Sequence, residues 1–260
     1  MAGKRKPTPD AIEIIHRRYY EGHPERMAKR CRVPTLDDTW LAYARRVLEA
    51  GALSRCCAQS PRNDAIDRVR RWPGYLGSRY DSGCVLLVGA IHNADQLFTP
   101  EILALGDEVK KWVGAPRTPE SDRRYLASAR AAYTASARLW ALNGNVWKRF
   151  DKLLAYLGID IGQVAFTNLA KCFCPVGQND TRFVKACLAR YPLGELIEDI
   201  QPKAVFIAKN AQATNRLEGD LGTKTGALVF RFNNRTGQSP DGRSFREWAP
   251  EAARAYRNRA

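Results

Sequence analysis

Hydrophobic positions along the chain follow two patterns. Short, mainly apolar runs occur at Val85–Gly89, Val164–Thr167, Ala204–Ala208 and Ala227–Phe232. Runs of that length, bounded by Gly, Pro or Asn, predict strands buried on both faces, as in a parallel sheet. Elsewhere apolar residues recur every three or four positions, the period of a helix with one buried face. That spacing predicts helices at Ala11–Tyr20 and Leu36–Ala50, a third from Ser60-Pro61 to Arg71, and then a turn-rich stretch, Trp72–Ser82. Thr99-Pro100-Glu101 and Thr118-Pro119-Glu120 each join a capping hydroxyl to a Pro and an acid in the first turn. They open two more helices, the second reaching Trp140. Val146–Leu157 is amphipathic and stops at Gly158, Asp180–Tyr191 and Leu193–Ile200 supply one or two helices, and Arg243–Asn258 closes the chain.

Strands alternating with helices predict an α/β fold. The expected architecture is a three-layer α/β/α sandwich with a central four-stranded parallel sheet, at residues 81–260. Residues 1–80 show no strand pattern and are expected to form a basic helical extension packed on that core. In open α/β sheets, ligands bind beyond the C-terminal ends of the strands. Attention therefore falls on Gly89–Asp95, Asn168–Gln178, Lys209–Gln212 and Asn233–Gly237.

Charge narrows the choice of partner. The 260 residues hold 42 Lys and Arg against 27 Asp and Glu, a net charge of +15. The excess is spread through clusters such as Lys4–Lys6, Lys29–Arg32, Arg68–Arg71 and Lys110–Lys111. On an enzyme-sized chain this points to a polyanionic partner, DNA or RNA. No apolar run reaches membrane-spanning length, and Met1–Lys6 leads into no apolar signal core. A soluble cytoplasmic protein with no membrane partner is expected. Seven cysteines, an odd number without regular spacing, argue against a secreted disulfide framework.

Asn168 is the most telling single residue. It follows the apolar run Val164–Thr167, and its amide offers one acceptor and two donors, enough to read two edge atoms of a pyrimidine-like ring. The alternative is an Asn that closes the strand by bonding its own backbone.

The segment TNLAKCFCP at 167–175, followed by Cys187 and by IQPKAVFIAKNAQA at 200–213, resembles the uracil-DNA glycosylase superfamily, nearest to its family 4 branch. The stretch GNVWKRFDKLLAYLGID at 144–160 resembles the family helix that precedes this strand. The likeness spans Val85–Gln238, is fullest over Gly144–Ala213, and does not extend to residues 1–80. It implies a protein that flips uracil out of DNA and hydrolyses its N-glycosidic bond, releasing uracil and leaving an abasic site for base-excision repair. Asn168 falls on the family's uracil-reading Asn, and Gly89 and Ala90 fall on the first-motif segment beside the base. That motif departs from the family, because Gly89-Ala90-Ile91-His92-Asn93-Ala94-Asp95 has no carboxylate in the usual place. The family's last motif centres on a His; Asn233 stands nearest to that position.

Breaking the bond develops positive charge on the sugar and negative charge on the base, and the site must favour both. Asp95 is the candidate carboxylate beside the sugar, with a surface acid heading a helix as its other reading. His92 or Asn93 would position the water, and Asn233 would donate to the departing base. Phe98 or Trp140 would lie against the flipped ring, unless both belong to the core. Asn234, Arg235 and Lys171 are the expected DNA contacts. An iron–sulfur cluster would need Cys172 and Cys187 with two upstream cysteines, yet Cys56 and Cys57 are adjacent and Cys31 is distant, so no cofactor is expected. His16, His23 and His92 form no zinc pattern with the cysteines, so no metal is expected either.

These features lead to a monomeric, monofunctional uracil-DNA glycosylase. Two other readings stay open: a catalytically silent member that binds DNA or a modified base, and a nucleoside hydrolase acting on small substrates.

Overall fold

The computed structural model describes residues 35–49, 72–90, 92–93, 99–143, 145–169, 171, 173–174, 184, 187–188, 190–209, 226–233 and 236–259. The chain divides into two units, Met1–Thr35 and Leu36–Ala260, and every element described belongs to the second. The helices expected at Ala11–Tyr20 and Ser60–Arg71, and most of the one at Asp180–Tyr191, lie outside the described residues.

Helix α1 (Leu36–Glu49) places Asp37 and Asp38 in its first turn, where carboxylates complement the helix dipole. Trp40, Leu41, Tyr43, Ala44 and Val47 are buried, three and four residues apart, so one face packs inward. Strand β1 (Tyr75–Leu76) and the single turn α2 (Tyr80–Gly83) lead to β2 (Val85–Gly89), which is buried throughout. After the short strand β3 (His92–Asn93), α3 (Pro100–Gly114) starts with the Thr99 side chain accepting from the Ile102 N–H. Pro100 at its first position surrenders a donor the helix could not have used. Helices α4 (Pro119–Asn143) and α5 (Asn145–Leu157) complete the crossover to β4 (Val164–Asn168). Strand β5 (Phe173–Cys174), helix α6 (Leu193–Ile200), strands β6 (Ala204–Lys209) and β7 (Leu228–Asn233) and helix α7 (Phe245–Arg257) follow.

The fold is mixed α/β, and its sheet has five strands in the order β1-β4-β2-β6-β7. The four strands marked by apolar runs pair in parallel: β2 with β4 and with β6, and β6 with β7. The fifth corrects the expectation of a purely parallel four-stranded sheet. Tyr75 and Leu76 pair antiparallel with Phe166 and Ala165, which makes the sheet mixed and puts a strand in a region expected to hold none. Gly74 permits that approach: its φ is +101°, and a Cβ there would lie within 3.0 Å of the Phe166 carbonyl. A second, two-stranded sheet joins β3 to β5 in parallel.

Helices α1 and α6 meet through an exposed ion pair between Arg46 and Glu195. Arg130 of α4 ties α1 to β1, donating to Asp37 at 2.6 Å and to the Leu76 carbonyl at 3.0 Å. Successive residues of β4 face opposite sides. Phe166 lies against Trp147 and Phe150 of α5, with ring centroids 4.7 and 6.2 Å away, while Thr167 meets Tyr43 of α1. One hydrophobic core includes residues from α1, β1, the parallel strands and α7.

Candidate functional site

The C-terminal ends of β2 and β4 meet at the pair Gly89–Asn168, the last rung of their ladder. Asn168 is therefore inside the strand, one residue beyond the expected end at Thr167. It is buried, at 3% exposure. Its neighbour must be glycine: a Cβ on residue 89 would come within 3.0 Å of Asn168 Oδ1 and would touch the Phe166 ring at 3.5 Å. The Leu169 N–H donates to the Gly89 carbonyl at 2.8 Å and ties the chain leaving β4 back to β2. Reversal of the crossover direction between neighbouring strands opens a crevice at this edge of an α/β sheet. Here β2 lies between β4 and β6, the two strands reached by successive crossovers.

Beneath Asn168, on the opposite face, sits a closed polar network. Thr167 Oγ1 donates its proton to the Pro73 carbonyl at 2.8 Å. It can then only accept, and it does so from Tyr43 Oη at 3.1 Å and from Lys171 Nζ at 2.6 Å. Lys171 Nζ also donates to the Asn168 carbonyl. Lys171 is 3% exposed, and its ammonium lies 5.6 Å from the centre of the Tyr43 ring. Burial pushes its pKa down to about 7, opposed by the charge of the Cys187 thiolate form. Burial likewise drives the Tyr43 hydroxyl far upward. The expected contact between Lys171 and DNA is corrected by this geometry, since the side chain is spent inside the fold and a phosphate cannot reach it.

The loops beyond the strands are drawn together by the small sheet. His92 pairs with Phe173 and Asn93 with Cys174, so the first-motif segment runs alongside the segment that follows Asn168. At the far end of the sheet, Asn233 is the last residue of β7, opposite Lys209. Its Oδ1 accepts from the Thr236 N–H at 3.1 Å, while its backbone bonds Gly237 and Gln238 at 2.7 Å each. The side chain thus holds its own loop. Gly237 has φ +77°, and a Cβ on it would meet Arg149 Nε at 2.6 Å. The Gly237 carbonyl accepts from Trp248 Nε1 at 2.8 Å.

Trp140 packs partly buried against the core, its ring 5.7 Å from Tyr133 and 5.2 Å from Trp147. Trp147 in turn contacts Phe166 on the face that carries Asn168. Ala90 is half-buried directly after Gly89. Asp95, Phe98, Asn234 and Arg235 lie outside the described residues, and the side chains of His92 and Asn93 do too. The structure therefore brings together Gly89, Asn168 and Lys171, and sets Asn233 at the end of β7.

Sequence reasoning missed Tyr43 and Arg149. Tyr43 could be recognised only as one of five buried positions on α1. Arg149 stands two residues after Trp147, in the helix that carries the family likeness, and burial lowers its pKa. That adjacency was the available signal.

Among the described residues, no group of three or more His, Cys, Asp or Glu is placed to hold a metal ion. Cys187 is buried and Cys84 half-buried, and neither is in a disulfide. Among the described residues, no helix is long and apolar enough to cross a membrane. A cleft of about 460 Å³ lies along Val229–Arg231 against Arg243, Trp248 and Glu251, and includes none of Gly89, Asn168 or Lys171.

In comparison with known proteins, no family model matches the chain and no curated protein matches it.

Proposed function

We propose that this chain is a DNA glycosylase that recognises uracil and hydrolyses its N-glycosidic bond, working as a monomer in the cytoplasm without a metal or cluster. The observation that carries this reading is the presentation of Asn168. Its amide is buried at the C-terminal end of a central strand, beside a glycine whose missing side chain makes the room. An amide fixed in that way offers a donor–acceptor pair that matches the edge of uracil and mismatches the edge of cytosine. The net charge of +15 supplies attraction to the phosphate backbone. The resemblance of 144–213 to uracil-DNA glycosylases supplies the reaction, and with it a three-layer α/β/α arrangement around four parallel strands.

In this mechanism Asn168 grips the flipped base, and neutral donors at the pyrimidine oxygen lower the energy of the departing anion. Asp95 favours the cationic sugar and orients water, helped by His92 or Asn93. Phe98 and Trp140 are the candidate rings beside the base, and Asn234 and Arg235 the candidate DNA contacts.

The test is single-turnover cleavage of uracil-containing oligonucleotides, single- and double-stranded, with thymine and hypoxanthine controls and alkaline workup. Uracil-dependent breaks are expected. Asn168→Ala nearly abolishes them while DNA affinity stays close to wild type; unchanged release removes Asn168 from the site.

One observation favours a second reading, a silent member that binds DNA or a modified base. The first motif, Gly89–Asp95, has no carboxylate in the family's usual place beside the sugar. Tight, salt-sensitive DNA binding with no breaks selects that reading.

A further inference from the structure

We propose that Lys171 and Tyr43 are positioning residues for Asn168, clamping the peptide that follows it so that its amide is held in one orientation for the base. The inference rests on the reading of Asn168 as the base-contacting residue, and it goes beyond that reading by giving helix α1 a role in base selection.

The geometry is a closed chain of donors and acceptors. The peptide between Asn168 and Leu169 is held at both ends: its carbonyl accepts from Lys171 Nζ, and its N–H donates to the Gly89 carbonyl at 2.8 Å. With both ends fixed, the backbone torsion that aims the Asn168 side chain cannot relax. Lys171 is itself held by Thr167 Oγ1 at 2.6 Å. Thr167 gives its single proton to Pro73, so both of its lone pairs are open; Tyr43 fills one and Lys171 the other. Removing the Tyr43 hydroxyl takes away one of the three bonds that fix Thr167 Oγ1 and so weakens the Lys171 anchor. The Trp72 N–H holds the Lys171 carbonyl at 2.8 Å, so the backbone of residue 171 is fixed independently of its side chain.

A buried ammonium is an expensive way to hold a strand end if stability is all that is required. Replacing a buried charged network with apolar side chains is commonly neutral or stabilising. What the Nζ donor adds is a fixed partner for one carbonyl, which an apolar side chain cannot supply. A structural role and a positioning role therefore part company in one variant. Lys171→Met retains most of the side chain's length and removes its donors and its charge. If Lys171 merely supports the fold, release by the variant follows its thermal stability. If it positions Asn168, release falls by more than the variant's change in thermal stability accounts for.

The experiment uses the full chain. Single-turnover release from uracil oligonucleotides is measured beside thymine and cytosine controls, together with DNA affinity, thermal midpoint and the side-chain amide resonances of Asn168, identified by their loss in Asn168→Ala. For Lys171→Met the expected result is release slowed by ~10–100-fold at unchanged DNA affinity in a protein still fully folded at the assay temperature, with displaced Asn168 amide resonances. Tyr43→Phe gives a smaller loss in the same direction, and it decides the matter if Lys171→Met does not fold. Folded variants with wild-type release and unmoved resonances overturn the proposal. If the wild-type protein releases no uracil, the glycosylase reading fails separately and the resonances alone decide. Displacement in either variant then supports the clamp, and no displacement refutes it.

Discussion

Adding one methyl group at Gly89 tests whether Asn168 works from the orientation seen in the structure. Residue 89 has a φ that any L residue can adopt, so Gly89→Ala brings no backbone strain. Its Cβ would fall within 3.0 Å of Asn168 Oδ1, where ordinary contact begins near 3.4 Å. The amide must move by roughly 1 Å or more. Retreat is limited, because the Phe166 ring lies 3.5 Å from the same point and the carbonyl of Asn168 is held by Lys171. Overpacking of this kind costs about 1–3 kcal/mol. For a unit of this size the thermal midpoint should fall by roughly 3–10 °C. A reacting group displaced by about 1 Å can lose ~100-fold in rate. Release of uracil should therefore fall by one to two orders of magnitude, with DNA affinity kept within about threefold of wild type. The double variant Gly89→Ala/Asn168→Ala removes the partner of the clash. Its stability should return toward that of Asn168→Ala alone, a coupling of about 1–3 kcal/mol. Wild-type release by Gly89→Ala, or strictly additive stabilities in the cycle, would refute the reasoning.

Three further outcomes are expected. Lys171 is depressed to about 7 from an ordinary 10.5, so between those values the unfolded chain binds a proton that the folded one does not, and stability rises with pH through that window. Chemical denaturation at about pH 6.5 and pH 9 should differ by roughly 2–3 kcal/mol more in wild type than in Lys171→Met; equal slopes would place the ammonium in contact with water. Gly237→Ala should lower stability by about 1–2 kcal/mol, because residue 237 has φ +77°. A neutral result in the same denaturation assay would mean that the loop before α7 adapts freely. Asp95→Asn should slow the chemical step ~100-fold with little change in DNA binding, and wild-type single-turnover rates would return Asp95 to the surface.

The parallel strands were legible because each is a short, mainly apolar run; β2, β4 and β6 are buried throughout their apolar runs, whereas β7, which includes Arg231, is mostly half-buried. Thr99 and Pro100 announced α3 for an equally local reason, since capping needs only the residues at the helix start. Strand β1 was not legible. It has two residues, too few for any periodicity, and it exists because Gly74 lets the backbone approach Phe166. Asn168 could be singled out by its place after an apolar run, whereas the role of Lys171 could not. A lysine near a strand end in a chain of net charge +15 reads as a surface group. What buries it is Tyr43, 124 positions before Thr167, and no local pattern reports a partner at that distance. The fit of Gly89 to Asn168 escapes for the same reason, as it arises only once β2 and β4 are in register.

Strand β1 also decides what β4 is. With Tyr75 and Leu76 paired to it, the strand carrying Asn168 has neighbours on both sides. A chain begun after residue 80 would turn Val164–Asn168 into an open margin of the sheet. Such a margin, apolar and short of charge, is a template on which a second copy can add its own strand. The same cut would take Tyr43 away from Thr167. Tyr75 and Leu76 thus guard against self-association as well as bracing the sheet, and a protein shortened past them should associate through β4.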